Sequence, residues 1–215
     1  MTKFILGKKI RVSQFFQEDG RAIPVSIIET GPCYVTQIKN AEKDSYSAIQ
    51  IGFGQKKEKN IKKPQRGQLE KIKKINNDFN SLNLSYLREV RVSPDEIEKW
   101  TLGQEIKVDI FQESEKVKIR GISKGKGFQG WVKRYHFAGG PATHGNKHSG
   151  RQRGSIGSSF PERVLKGTKM AGRMGGKRVS IKNLKIIKII PEENIIAIKG
   201  AIPGRRGTLV EIIGE

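Results

Sequence analysis

Carboxylates all but vanish from one stretch of this 215-residue chain: between Gly121 and Ser180 the only acid is Glu162. Other residue types are scarce throughout. The single cysteine, Cys33, excludes an intramolecular disulfide framework and is compatible with a reducing cytoplasm. Its setting in Cys33-Tyr34-Val35 points to a buried structural thiol and not to a nucleophile. No apolar run approaches the roughly 20 residues of a membrane-spanning helix, so no membrane partner is expected. The opening Met1-Thr2-Lys3-Phe4-Ile5-Leu6 is too short for a signal-peptide core, and charge resumes at Lys8-Lys9. Hydrophobic residues make up only 35% of the chain, and the Ile and Val among them crowd into its two ends.

The acid-poor stretch is rich in two things. It holds thirteen Lys or Arg and fourteen Gly, so that its formal charge is +12 of the +21 carried by the whole chain. Few large apolar residues accompany them, and glycine loses more conformational freedom on ordering than any other residue. A compact state of this segment would repel itself without a counter-anion. A polyanion must complete it, and nucleic acid fits best.

On either side the pattern is that of strands. Lys9 to Phe16 leads through Gln17-Glu18-Asp19-Gly20 into Ala22 to Glu29, a hairpin in which Pro24 belongs at an edge or a bulge. Tyr34 to Lys39, Tyr46 to Ile51 and Leu84 to Val92 continue the pattern. So do the alternating Ile106, Val108 and Ile110, then Val117 and Ile119. Leu184 to Ile190, Ile195 to Lys199 and Leu209 to Ile213 complete it, with turns at Pro191-Asn194 and Pro203-Gly207. Gln55 to Lys74, with nine Lys or Arg, reads as a surface loop or a frayed helix. Ser93, Pro94 and Glu96 predict a capped helix ending near Trp100. Short strands at close spacing predict a mainly β protein built on a small closed barrel with a minor helical insertion. Residues 1–120 and 181–215 form the discontinuous barrel body, with the 55–100 connector and helix inserted in it. Residues 121–180 form a long, irregular Gly-rich basic extension.

Familiar chemical motifs fail on inspection. Gly125-Lys126-Gly127-Phe128-Gln129-Gly130 matches the dinucleotide pattern, but Gly139-Gly140-Pro141 breaks any long helix after it and no acid follows before Glu162. His136, His144 and His148 have no Cys or carboxylate nearby, so no metal is expected. No general base with an orienting acid is apparent, and Asp19, Asp44 and Asp109 have no histidine near in sequence. Neither a cofactor nor a small-molecule substrate is expected. What remains is Phe128, Trp131, Tyr135 and Phe137 interleaved with Lys124, Lys126, Lys133 and Arg134. These rings either stack on unpaired bases while the cations meet phosphates, or form a small core of their own. An RNA-modifying enzyme with a basic arm and a general DNA-binding nucleoid protein are the alternatives from other classes.

Lys124 to Gly130, Ala142-Thr-His-Gly-Asn146, Gly154-Ser-Ile-Gly157 and Lys169-Met-Ala-Gly-Arg-Met-Gly175 resemble the bacterial form of the large-subunit ribosomal protein L-three family. Gly7-Lys8-Lys9, Glu18-Asp19-Gly20, Pro24-Val25, Val35-Thr36-Gln37 and Lys199-Gly-Ala-Ile-Pro-Gly204 fall in the family's order. The resemblance implies a cytoplasmic, non-enzymatic constituent of the ribosome. Its barrel would be of the translation-protein type, on the outer surface of the large subunit beside neighbouring large-subunit proteins. Its extension would thread into large-subunit ribosomal RNA early in assembly and approach the peptidyl transferase centre. The implied RNA-binding residues are Lys124, Lys126, Phe128, Trp131, Lys133, Arg134, His144, Lys147, His148, Arg151, Arg153, Arg163, Lys166, Lys169, Arg173, Lys177 and Arg178. The implied tip comprises His144, Gly145, Asn146, Gly154, Ser155, Ile156, Gly157 and Ser158. Ser158 stands where some members carry a methylated glutamine, so that modification is not expected. The spacing from Gly157 to Lys169 is one residue shorter than usual, and Arg11-Val12-Ser13 replaces the family's Gly-Met-Thr.

Overall fold

The computed structural model of the chain describes residues 3–73 and 83–214. Met1, Thr2 and the end of the basic connector at Lys74 lie outside the described residues. In chain order the elements are β1 (Phe4–Phe16), β2 (Ala22–Glu29), β3 (Cys33–Lys39), α1 (Ala41–Asp44), β4 (Ala48–Gln55), α2 (Lys63–Lys73), β5 (Leu84–Arg91) and α3 (Pro94–Ile97). They continue with β6 (Glu105–Ile106), β7 (Lys116–Ile122), β8 (Phe128–Gln129), α4 (Trp131–Tyr135), β9 (Gly172–Arg173), β10 (Arg178–Ile190), β11 (Ile195–Lys199) and β12 (Leu209–Gly214). Contacts divide the chain into two compact units, Met1–Ile122 with Arg178–Glu215, and Ser123–Lys177.

The first unit is the mainly β body that the strand pattern predicts. Six strands close an antiparallel barrel in the order β1-β12-β7-β10-β11-β2, and a second sheet runs β5-β4-β3-β6. Alternation puts Val117, Ile119, Ile186, Ile196, Ile198, Val210 and Ile212 in the core, all fully buried. Each such side chain contributes about 1.5–3 kcal/mol relative to exposure. Phe4, Ile5 and Leu6 are consecutive and all buried, so this end of β1 is covered on both faces. One core cluster joins barrel residues to Val35, Ile49, Ile51 and Phe53 of the second sheet. Cys33 sits in that cluster, accepting the Leu6 N–H at 3.4 Å, and burial pushes its thiol up to about 12. It is the structural thiol expected.

The β1–β2 hairpin pairs Phe16 with Ala22 through to Lys8 with Glu29. Pro24 lies just beyond the last β2–β11 pair, Val25 with Lys199, where its missing N–H interrupts no ladder to β11. The 13-residue β10 pairs with β7 from Arg178–Ile122 to Lys185–Lys116. Residues 121, 122 and 178–180 therefore belong to barrel strands.

Three local expectations are corrected. The basic connector is not an unanchored surface segment: part of it, Lys63–Lys73, forms α2, whose Leu69 and Ile72 are buried against Leu84, Tyr34 and Leu87. Those two residues, three apart on one helical face, supply an apolar anchor that the surrounding lysines hide in the composition. Gln68 adds a bond to the Gln50 side chain at 2.6 Å, and Gln65 one to the Leu84 carbonyl at 2.9 Å. The alternation from Ile106 is a strand only over Glu105–Ile106, since Val108–Ile110 tightens into a 3-10 turn. That turn brings Val108 and Phe111, not Val108 and Ile110, into the core. The helix after Ser93 ends at Ile97, and the Ser93 hydroxyl makes no capping bond. Its start rests on Pro94 and on the Glu96 N–H donating to the Ser93 carbonyl at 3.1 Å.

Leu69→Ala leaves a cavity between α2 and the sheet. Urea unfolding should show a loss of about 2–4 kcal/mol; a loss under about 0.5 kcal/mol would mean that α2 is not packed as described.

Candidate nucleic-acid interface

Beyond the Ile122–Arg178 pair the chain stays paired for a short distance. Ser123 N–H donates to the Lys177 carbonyl, Lys126 N–H to Met174 and Met174 N–H to Gly127, each at 2.9 Å. β8 and β9 then pair through Phe128–Arg173 and Gln129–Gly172. Gly175 makes this close approach possible: its φ is +70°, and a Cβ there would stand 2.0 Å from the Lys124 carbonyl oxygen.

The next turn of chain shows where the four rings lie. Gly130 opens the five-residue α4, and His136 closes it in the left-handed region at φ 60°. Trp131 donates its indole N–H to the Arg151 carbonyl at 2.7 Å, which ties the outgoing strand to the tip. Arg134 donates to the Met170 carbonyl at 2.7 Å, which ties it to the returning strand. The Arg134 guanidinium lies 4.9 Å and the Lys169 ammonium 5.8 Å from the Tyr135 ring centre. Tyr135 and Phe137 stand 6.4 Å apart. Trp131, Tyr135 and Phe137 are half-buried and serve the segment itself, whereas Phe128 is 77% exposed. Three of the rings thus belong to the segment's own packing, and Phe128 is left open to solvent.

Farther out, the Gly140 N–H donates to the Gly150 carbonyl at 3.0 Å, and Asn146 donates its side-chain amide to the Pro141 carbonyl. A Cβ on Gly139, at φ +78°, would meet the Gly150 oxygen at 2.4 Å. His144 and His148 are exposed and left-handed, and Gly145 lies between them. Ser155 donates its hydroxyl to the Gly157 carbonyl and Ser158 to the Phe160 carbonyl, both at 2.6 Å. Gly154, Ile156 and Ser158 are exposed. Among the described residues no group of three His, Cys, Asp or Glu could hold a metal.

The electrostatics are one-sided. Residues 123–177 hold twelve Lys or Arg against Glu162, a formal net of +11. Among the described residues, none of these cations forms an ion pair with a carboxylate, and none of residues 123–177 is buried. Lys124, Lys126, Lys133, Lys147, Arg151, Arg163, Lys166, Lys169, Arg173 and Lys177 are exposed, and Arg153 is half-buried with no partner for its Nε. Arg178 differs from the rest. It lies on β10 and pairs at 2.5 Å with Glu211, a carboxylate 8% exposed that also meets Arg88 at 3.4 Å. One ring was missed in the sequence. Phe160 is 83% exposed, with Ile156, Val164 and Leu165 also open to solvent. Its isolation from any Lys or Arg neighbour within two positions hid it, with the only acid of the stretch, Glu162, two residues away.

The family model for Ribosomal protein L3 matches residues 85–194, which include this whole segment and strands β7 and β10. The chain is 50% identical over 212 residues to the large ribosomal subunit protein uL3 of Carboxydothermus hydrogenoformans, covering 99% of this chain and 97% of that protein. The chain belongs to the ribosomal protein L3 family. It is 47% identical over 210 residues to the uL3 of Chloroherpeton thalassium, and 44% identical over 213 residues to that of Syntrophobacter fumaroxidans. The motif resemblance is thereby borne out. Members of the ribosomal protein L3 family are structural components of the ribosome, which lies in the cytoplasm in bacteria, and are not enzymes. For this L3-family chain, the acid-poor stretch and its unpaired cations thus belong to a structural ribosomal constituent.

Gly175→Ala should break the ribbon while sparing the barrel. Limited proteolysis should cut within 123–130 or 170–177 several-fold faster at unchanged Tm; unchanged cleavage would show that the close approach at Lys124 is not needed.

Proposed function

We propose that this chain is a structural constituent of the large ribosomal subunit that binds large-subunit ribosomal RNA early in assembly. In this proposal residues 123–177 form the RNA-entering extension, directed toward the peptidyl transferase centre, and the barrel body abuts neighbouring large-subunit proteins. One observation carries it: twelve cations without an ion pair, in a segment without a buried residue. A protein surface built only for solvation mixes both signs. A surface of one sign gains its free energy by displacing the counterions condensed on phosphates.

The side chains then divide by role. Trp131, Arg134 and Gly175 shape the backbone, and Arg178 fixes the root by its pair with Glu211. Lys124, Lys126, Lys133, Lys147, Arg151, Arg153, Arg163, Lys166, Lys169, Arg173 and Lys177 neutralise phosphates. Phe128 and Phe160 offer ring faces for unpaired bases, a contact worth about 1–3 kcal/mol per base. His144, His148 and the turns at 154–158 meet the RNA at the tip.

The pairing at the root provides the test. Ile122 and Arg178 are cross-strand partners, so a two-residue Asn-Gly turn can replace 123–177 and close β7 and β10 as a hairpin. The shortened chain should keep its far-ultraviolet spectrum and thermal transition but fail to enter large-subunit particles. If half of the twelve cations meet duplex phosphates, the slope of log K against log salt on ribosomal RNA falls by about 5. An undiminished slope, or equal affinity of the full chain for duplex DNA and structured ribosomal RNA, would contradict the proposal.

A further inference from the structure

The barrel carries a second concentration of positive charge that the extension does not account for. On β7, Val117 and Ile119 point into the core, so Lys116 and Lys118 project from the outer face. On β10, Leu184 faces Val117, and Lys185 therefore shares the outer face, directly opposite Lys116. Like charges at directly opposed positions of an antiparallel pair destabilise the sheet. Lys188, opposite Ala197, and Lys182, at the register shift between Ile181 and Leu184, extend the array.

Among the described residues no carboxylate lies within ion-pair distance of it, and none of these five lysines forms an ion pair. Glu115 pairs with Lys3 at 2.9 Å and accepts the Gln112 N–H, Glu113 accepts the Ile189 N–H, and Glu211 pairs with Arg88 and Arg178, while Glu192 and Glu193 lie in the turn after β10. The array begins six residues along β7 from the Ile122–Arg178 root, about 20 Å at strand rise, on a rigid sheet and not in the extension.

We infer that the outer face of β7 and β10 around Lys116 and Lys185 is a second RNA-binding surface, which holds the phosphate backbone of ribosomal RNA against the barrel wall. The inference rests on the ribosomal role proposed above. RNA is favoured over an acidic protein because protein interfaces are depleted in lysine and centre on apolar or aromatic anchors. Among the described residues the large exposed apolar side chains of β7 and β10 are Ile122 and Val179, both at the root end and away from the lysines.

Lys116→Glu in the full chain separates stability from binding. It turns a repulsive cross-strand pair into an attractive one, so Tm should rise by about 1–4 °C. Binding to a large-subunit ribosomal RNA transcript should weaken several-fold, with the salt slope lower by about 1. The neutral double variant Lys116→Gln with Lys185→Gln should lower the slope by about 2 without introducing an acid. A third variant, Lys124→Gln with Lys126→Gln and Lys133→Gln, reports on the extension alone. Unchanged RNA binding in both Lys116 variants, with binding weakened in the extension variant, overturns the barrel surface and leaves the extension's role standing. Unchanged binding in all three overturns both. Impaired entry into particles with unaltered RNA binding would assign this face to an acidic protein partner and equally overturn the inference.

Discussion

Repulsion among cations that lack carboxylates is the constraint on which this structure turns. Twelve positive side chains share residues 123–177 with Glu162 alone, and no buried residue offsets their mutual cost. Folding there relies on local devices: a few cross-strand bonds near the root, the indole bond from Trp131, and the Arg134 bond to Met170. Each contributes only about 1 kcal/mol net. Against the entropy of ordering 55 residues, about 1–2 kcal/mol apiece, such bonds are too few. In the function proposed above, ribosomal RNA supplies the missing term.

The barrel meets the opposite requirement. A segment that cannot hold itself must leave from something that can, and β7 and β10 are paired from Lys116–Lys185 up to Arg178–Ile122. Glu211 strengthens that root by pairing with both Arg178 and Arg88. The burial of Phe4 to Leu6 on both faces, with the second sheet sharing their core, gives the wall its stiffness. Backbone hydrogen bonds of the closed barrel leave no open edge among its six strands where they pair. The buried core and the coreless, acid-poor stretch thereby belong to different parts of one chain.

Much of this was legible before any coordinates. Alternation of Ile and Val with charge located the barrel strands, because period-two burial acts residue by residue. The hairpin at Gln17–Gly20, the turn at Pro191–Asn194 and the buried Cys33 followed from equally local causes. What escaped depends on tertiary contact. Leu69 and Ile72 form a helix face only because Leu84 and Tyr34 lie beneath it, and in composition their segment is a basic linker. Val108–Ile110 has a strand's alternation but bends to place Phe111 in the core. The division of the rings, with Trp131, Tyr135 and Phe137 turned inward and Phe128 and Phe160 outward, is set by hydrogen bonds between residues 20 to 36 apart. The opposition of Lys116 to Lys185 requires a register that includes a bulge, which no spacing rule reveals.

Amide hydrogen exchange on the full chain, free and then bound to large-subunit ribosomal RNA, measures the central dependence directly. Free, residues 131–169 should exchange at nearly unprotected rates, and the short ribbon flanking them only modestly slower, while β1, β7, β10 and β12 are slow; with RNA, protection should spread along the segment. Uniform protection of 123–177 in the free chain, or none gained on RNA, would contradict the dependence of its order on a polyanion.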